Sequence, residues 1–428
     1  MKMKMNVFIV GMDRFNLKKL QRVPEAEECE FHAALYIDEI RNISQYDMDA
    51  LIDKAEQRIK STPGGIHAIV SYFDFPATDL IPILAEKFGV PGPDLECILK
   101  CQHKYWSRYE QKKIIPGHIP EFCPFDPFED DPFSSINLEL PFWIKPFRSF
   151  RSFLAFKITT KEQFYEYIDE IRENVSYIHE PFLYILKVHE IPDEIANMKE
   201  SCIAEKPISG HQCTLEGYVF NKKVVIYGIV DSIKDQYFFS FLRYEYPSCL
   251  PDEVQNRMVD VCSRFIKHIG LDNSAFNVEF FYNQANDEVY LLEINSRISQ
   301  SHADLFEKVH GMSHHRVMLQ IALGREPDPL GQNGEFRYAA KFMYRTFEAG
   351  KVQRVPSEEE IDEVIKEIPG TIIKTRVVEG QRLSELQMQD SYSYELADIF
   401  VGAQNRDELV DKYNYILERI PFSIERKN

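Results

Sequence analysis

Short apolar runs alternate with amphipathic stretches through the first hundred residues. Val7–Val10 is an apolar run that ends at Gly11. Within Met48–Lys60, Leu51, Ile52, Ala55 and Ile59 recur at helical spacing. Gly64-Gly65 breaks the chain, Ile66–Tyr72 is a second apolar run, and Asp79–Phe88 reads as a helix with Gly89 in its C′ position. This alternation predicts a parallel sheet flanked by helices, a small α/β domain over residues 1–112. Pro116–Ile136 then mixes prolines and acids at a density that forbids a central strand or helix. It reads as a connector whose phenylalanines pack onto the body.

From Pro141 the pattern changes. Trp143-Ile144 leads into Lys145-Pro146, Lys161–Asn174 has helical spacing, and Cys202–Ala204 is a short strand. Tyr218–Phe220 and Val224–Ile229 flank Asn221-Lys222-Lys223 as a hairpin would. Val254, Met258, Val261, Phe265 and Ile269 mark a helix that stops at Gly270. Asn277–Phe281 and Val289–Ile294 are strands around the polar turn Asn283–Glu288, and Ser313–Leu323 is a helix closed by Gly324. Beyond Leu330, the strand-like pieces Arg337–Arg345 and Thr371–Val378 alternate with the helical pieces Ser357–Glu367 and Arg406–Ile420. The expected division is therefore 1–112, 113–200, 201–330 and 331–428, an α/β and α+β multidomain chain.

Composition narrows the function classes. With 44% apolar and 28% charged residues in 428, disorder is excluded as the dominant state. A net charge of −18 repels phosphate backbones, which excludes general nucleic-acid binding but not a small anion in a local basic pocket. No apolar run reaches 18 residues, so no membrane span is expected. The opening MKMKMNVFIVGMDRF reads as a first strand rather than a signal peptide, because Asp13 and Arg14 follow the short apolar stretch at once. Eight scattered cysteines without a CxxC pair fit reduced thiols of a cytoplasmic protein. Cys97, Cys101 and His103 lie close together, but no second pair completes a metal site, so they read as core residues.

The chemistry-bearing residues concentrate in four places. Asn277 and Glu279 share one face of a strand, and Glu293 and Asn295 share one face of the next. If the strands pair, two carboxylates and an amide oxygen converge. Such a group needs a counter-charge, and Mg²⁺ with nucleotide phosphates supplies one. A half-exposed hairpin with solvated acids is the alternative, against which Glu293 sits inside the apolar run Val289–Ile294. Arg297 follows two residues on, where a guanidinium can hold a carboxylate or a transferring phosphoryl group. Lys145, ending an apolar strand before Pro146, suits either a phosphate contact or a snorkelling lysine. Cys202–Gly210 reads as a strand running into an extended linker, whose backbone can meet an adenine edge while Glu205 meets the ribose. Gln102-His103-Lys104 and Arg108 lie one helical turn apart and alone fit a solvated helix face equally well.

In this order the motifs resemble those of the ATP-grasp superfamily of carboxylate–amine or carboxylate–thiol ligases, over roughly Val7 to Pro327. The resemblance implies an ATP-grasp fold, preceded by a pre-ATP-grasp α/β domain and followed by an α+β segment. By that resemblance Lys104, with His103 where Asp is common, and Lys145 hold phosphates. The hinge Glu205-Lys206-Pro207-Ile208-Ser209-Gly210 seats the nucleotide through Glu205, Lys206 and Ile208, with Gln212 where the family has a ribose-binding Glu. Glu279, Glu293 and Asn295 bind the metal, and Arg297 with Lys145 acts in catalysis. The family's glycine-rich phosphate loop is replaced by Phe147-Arg148-Ser149-Phe150-Arg151-Ser152-Phe153, in which Ser152 keeps the usual serine and no glycine remains. Arg148 and Arg151 are candidates to replace backbone donors with charge. The implied cofactors are ATP and Mg²⁺, with Mn²⁺ as its substitute. The implied partners are small carboxylate and amine substrates, amino acids first, with no nucleic acid and no membrane, and a homodimer by analogy. The implied reaction activates a carboxylate as an acylphosphate and joins it to an amine, as L-amino acid ligases do. A biotin-carboxylase-like reaction and a nucleotide-binding regulator without turnover are the alternatives. Met3-Lys4-Met5 resembles a biotinyl tripeptide but lacks the surrounding domain. Lys341 and Arg345 are further candidates for a substrate carboxylate.

Overall fold

The computed structural model describes residues 3–41, 46–149, 154–188, 192, 195, 201–235, 240–386 and 393–426. The first part contains β1 (Met5–Met12), α1 (Arg14–Leu20), β2 (Cys29–Tyr36), α2 (Met48–Ser61), β3 (Ala68–Val70), α3 (Ala77–Phe88), α4 (Leu95–Gln102) and α5 (Lys104–Ile114). Its strands form a parallel sheet in the order β2-β1-β3. The strand pattern anticipated β1 and β3 but not β2, whose Glu30 and His32 obscure the apolar signal. The histidine is satisfied in the tertiary structure, where His32 bonds Asn6 at 3.0 Å and stacks on Phe8, while Glu30 is exposed.

The second part carries β4 (Phe122–Phe125), β5 (Phe142–Pro146), β6 (Phe156–Ile158), α6 (Lys161–Asn174), α7 (Ser176–Val188) and β7 (Cys202–Glu205). These strands form a sheet in the order β4-β7-β5-β6. The proline-rich segment is thus more than a connector. It supplies β4 at the sheet edge, the position in which Pro124 is tolerated. Phe125 is buried there, while Phe128 stays exposed.

The third part contains β8 (His211–Phe220), β9 (Lys223–Lys234), β10 (Phe241–Tyr246), α8 (Asp252–Ile269), β11 (Ser274–Asn283), β12 (Glu288–Asn295), α9 (Ala303–His310) and α10 (His315–Ala322). The last part adds β13 (Tyr338–Thr346), β14 (Gly350–Arg354), α11 (Glu358–Glu367), β15 (Ile372–Thr375), β16 (Tyr394–Ala403), α12 (Arg406–Leu417) and β17 (Ser423–Arg426). One eight-stranded sheet runs through both parts in the order β12-β11-β8-β9-β10-β13-β16-β15. It crosses residue 330 without a break, because β10 pairs with β13 from Arg243↔Phe342 to Tyr246↔Ala339. Helix α8 lays Met258, Val261, Phe265 and Ile269 against Leu215, Val278 and Phe280 on one face of this sheet. The opposite face packs Tyr218 and Ala275 against Val7, Ile9 and Val70 of the first part.

Buried ion pairs fasten the first part to the third. Lys19 of α1 meets Asp304 of α9 at 2.7 Å with both groups buried, and Arg316 of α10 meets Glu25 at 2.9 Å. The two sheets are joined through residues 206–210. Gly210 has φ +128° there, and a Cβ on it would lie 2.2 Å from the Tyr282 carbonyl oxygen. Only glycine permits this conformation and this approach. Gly210→Ala is therefore expected to cost about 3 kcal/mol through strain and backbone clash together. Gly65→Ala, with φ +71° but open space around it, carries the conformational part alone, about 1 kcal/mol. Unfolding midpoints of the two variants check the difference, and equal losses would reject the steric argument.

Candidate active site

The acids on β11 and β12 face each other directly. The register pairs Asn277 with Asn295 and Glu279 with Glu293, so all four lie on one face. A bulge interrupts the pairing after Glu279 and leaves Leu292 without a partner. It also changes the parity of β12: Val289 and Leu291 join the core under α8, and beyond the bulge Ile294 does. Glu293 and Asn295 are thereby turned to the cleft. Strand β8 adds Gln212, Thr214 and Glu216 to that face, opposite Phe281, Glu279 and Asn277.

The donor set fits a hard divalent cation. Burial and the neighbouring Glu293 push the Glu279 carboxyl up. Burial acts on Glu293 too, but Lys104 at 2.8 Å outweighs it and holds that carboxyl down. A carboxylate raised by burial and a facing carboxylate is relieved by a cation with oxygen ligands. Asn295 donates its amide N–H to Asn277 Oδ1 at 3.1 Å, which leaves the Asn295 carbonyl oxygen for such an ion. Gln212 donates to Glu279 at 2.8 Å, and its own amide oxygen is buried without a donor.

Helix α5 and strand β5 bring cations to the same cleft. Lys104, at the start of α5, donates to Glu293 and to the Ser149 carbonyl at 3.2 Å. Lys145, near the end of β5, lies 2.5 Å from Glu205 at the end of β7. Arg108 takes the other oxygen of Glu205 at 2.6 Å. Burial pushes Glu205 up, but Arg108 and Lys145 outweigh it and hold the carboxyl at about 2. For Lys145, burial with Lys104 and Arg108 nearby keeps the ammonium below its usual range despite Glu205. Lys104, Lys145 and Arg108 thus share the two carboxylates of Glu205 and Glu293, an excess of positive charge suited to phosphate oxygens.

The remaining sequence-singled residues divide. Both oxygens of Glu205 are taken, so the carboxylate is spent inside the protein rather than presented to a ribose. Lys206 gives its backbone N–H to Glu121 and its ammonium to the Glu139 carbonyl at 2.5 Å, while Ile208 is half-buried in the linker. Ser152 and Arg151 fall outside the described residues. Lys341 and Arg345 are already held by acids, at 2.9 Å from Asp398 and 3.1 Å from Glu395. Cys97 and Cys101 are buried core thiols, and His103 caps α5 through its ring nitrogen.

Asp74 was not anticipated from sequence. Its carboxylate bridges Arg297 at 2.8 Å and Arg148 at 2.9 Å and accepts the Phe75 N–H at 2.7 Å. Burial opposes its charge, but Arg297 and Arg148 keep it ionised well below the usual range. The available signal was its place just after β3, since ligands of open parallel sheets gather beyond the carboxyl ends of the strands. Arg148, a candidate to carry phosphate charge, is instead buried against Asp74, so that expectation is corrected. Leu154, where the family has a glycine, sits at φ +55°. A left-handed backbone at a residue of this bulk costs roughly 1–2 kcal/mol.

Known proteins share the fold. Residues 138–303 match the family model of the ATP-grasp domain. An L-amino acid ligase structure from Bacillus licheniformis superposes with a TM-score of 0.74 at 16% identity, covering 100% of each chain. A carboxyaminoimidazole ribonucleotide synthase from Aspergillus clavatus gives 0.68 at 12% identity, covering 97% of this chain and 98% of that one. Biotin carboxylase from Campylobacter jejuni gives 0.66 at 13% identity, over 98% and 92% of the two chains. Among curated sequences, the carbamoyl phosphate synthase large chain of Nostoc sp. is 30% identical over 81 residues, which is 19% of this chain; the chain spans only 7% of that relative's length. Residues 138–303 thus carry an ATP-grasp domain, in a chain with the fold of these structures. Among the described residues, no helix is long and apolar enough to cross a membrane.

Glu205 gives the site a pH signature. Its folded carboxyl titrates near 2 against an ordinary 4.5, so its contribution to stability is complete above about pH 4.5 and is lost as pH falls toward 2. The contribution is on the order of 3 kcal/mol. Glu205→Gln removes this acid-sensitive step and leaves Arg108 and Lys145 with half a partner, at a cost of about 3–5 kcal/mol at neutral pH. Denaturant unfolding from pH 2 to 7 checks both effects. A variant as stable as the wild type at pH 7 would refute them.

Proposed function

We propose that the protein is an ATP-dependent ligase that joins a small carboxylate to an amine, with amino acids as the first substrate class and the cytoplasm as its place. A substrate carboxylate oxygen attacks the γ-phosphorus of ATP, the bond to the β,γ-bridging oxygen breaks, and an acylphosphate and ADP form. The amine lone pair then attacks the acyl carbon, phosphate leaves with the electrons of the carbon–oxygen bond, and the nitrogen loses a proton to give the amide. The reading rests on one observation above the others: Lys104 from α5 and Lys145 from β5 approach the cleft that Glu279, Glu293 and Asn295 line from the large sheet.

In this reading Lys104 and Lys145 hold phosphate oxygens, and Glu279, Glu293 and Asn295 hold Mg²⁺ or Mn²⁺. Bound there, the metal supplies charge neutralisation to the phosphates. Arg297 orients the carboxylate with the guanidinium nitrogens that Asp74 leaves to it. Asp74 acts as a positioning residue, because its ion pair fixes the plane of that guanidinium. The linker 206–209 seats the adenine, with Ile208 against the ring. The working units are those of the sequence, 1–112, 113–200, 201–330 and 331–428, although α5 extends to Ile114.

Phosphate release from ATP with Mg²⁺ tests the reading across amino acids offered singly and in pairs, with bicarbonate plus biotin in a separate well. Release that requires a pair is expected. Release only with bicarbonate and biotin would move the protein to the carboxylase branch, and ATP binding without release in any well would favour a regulator. The double substitution Glu279→Gln, Glu293→Gln is expected to abolish turnover, and undiminished ADP formation would sink the metal assignment. Lys145→Ala is expected to weaken ATP binding by about ten- to a hundredfold, measured by titration calorimetry.

A further inference from the structure

The cleft face of the large sheet does not end at the carboxylates. Tyr244 pairs with Lys341, Lys341 with Phe400, Met343 with Asp398, and Asp398 with Lys374. Direct partners share a face, so Lys341 and Lys374 lie on the face that carries Glu279 and Glu216. Beside them Arg376 binds Asp398 and approaches Glu395 at 3.4 Å, and Arg345 binds Glu395. Asp398 and Glu395 are therefore committed to Lys341, Arg345 and Arg376.

Two further cations reach this place without a carboxylate at ion-pair distance among the described residues. Lys374 lies over the Phe15 ring and 5.5 Å from the centre of Phe400. Its field comes from Asp398, Arg376, Lys341 and Asp13. Asp13 is spent on the α1 N-terminus, accepting from Phe15, Asn16 and the Asn16 side chain. Arg41, from the first part of the chain, feels Arg376 against its charge and Asp13 and Asp38 in favour of it, and its Nε is buried with no acceptor. A buried guanidinium N–H without an acceptor, beside a lysine that rests on rings instead of on a carboxylate, calls for an anion.

We propose that Arg41, Lys374 and Arg376 form a subsite for an anionic group, a carboxylate or a phosphate monoester, carried by a substrate at the end remote from the bond being made. Lys341 links the subsite to the reacting end. Its ammonium lies 3.4 Å from Ser301 Oγ, in the turn that follows Arg297, and the buried His302 beside it feels both Lys341 and Arg297. The proposal rests on the ligase reading only for the word substrate. The anion site itself stands on the cation geometry. It narrows the substrate class to molecules with a second negative charge, such as a dicarboxylic amino acid or a phosphorylated amine.

Calorimetric titration of the full-length protein with succinate and with inorganic phosphate, without ATP, tests it, with acetate as the monoanionic control. At least one dianion is expected to bind more tightly than acetate. Lys374→Met and Arg41→Met, which keep the apolar stems, are each expected to weaken that binding about tenfold and leave ATP affinity unchanged. Preference for succinate points to a carboxylate, and preference for phosphate to a phosphate ester. Failure of both dianions to bind the wild type, or equal binding by both folded variants, overturns the subsite. The phosphate-release panel separates the two readings. Anion binding that the variants lose, with no turnover on any pair, rejects the ligase and keeps the subsite. Turnover of uncharged amino acids with an unchanged KM in both variants rejects the subsite and keeps the ligase.

Discussion

One buried guanidinium sets the distance between the two lobes of the cleft. Arg108 donates to Glu205 at the end of β7, to the carbonyls of Leu291 at 3.2 Å and Leu292 at 2.8 Å on β12, and to Gln111 on its own helix. It therefore touches the small sheet, the large sheet and α5 at once. A charge buried this deeply is costly unless each donor is matched, and here all the partners are in place. The Leu292 carbonyl is free to accept because the bulge in β12 removes it from the ladder. The same bulge turns Glu293 and Asn295 into the cleft. One irregularity thus serves both the clamp between lobes and the direction of the acids.

That irregularity also marks where the sequence stops being readable. Glu279 with Asn277, and Glu293 with Asn295, were legible as a convergent set from alternation alone. Yet strict alternation along β12 would have put Glu293 on the core side with Val289 and Leu291, because all three are odd-numbered. Only a bulge reconciles the apolar run with a cleft-facing acid, and no residue type in that run announces one. The helices α2, α3, α6 and α8 were legible because their apolar positions keep a 3.6-residue period and three of them end in or near glycine or a polar cap. Strand β2 was not, since Glu30 and His32 interrupt its apolar run and His32 finds its partners in β1. The edge strand β4 was hidden by prolines that forbid a central strand but tolerate an edge.

Electrostatics gives the first part of the chain a role beyond support. A chain with net charge −18 has acids to spare, and it uses them to hold cations at chosen points. Asp74 is such an acid. It comes from the parallel sheet, reaches Arg297 of the large sheet, and at the same time draws in Arg148 from the loop after β5. Three separate parts of the chain meet on one carboxylate. Sequence showed Arg297 and Arg148 as isolated cations. It did not show that they share an anion, because Asp74 lies more than seventy residues from one and more than two hundred from the other.

This sharing bears on the glycine-free loop. A glycine-rich loop binds phosphate through backbone N–H groups and stays mobile enough to close. Here the loop is anchored at its start: Phe147 accepts the Lys104 N–H at 2.8 Å and donates to Ser201 at 2.7 Å, Ser149 accepts from the Lys104 ammonium, and Arg148 is fixed on Asp74. At its far end Leu154 holds a left-handed backbone that glycine would adopt without strain. The burial of its side chain offsets that strain, so the conformation is retained through packing rather than through backbone freedom. In the proposed reading, phosphate charge at this end of the cleft falls to Lys104 and Lys145, which project from a helix start and a strand end. Both are placed by acids of the protein itself, Glu293 and Glu205.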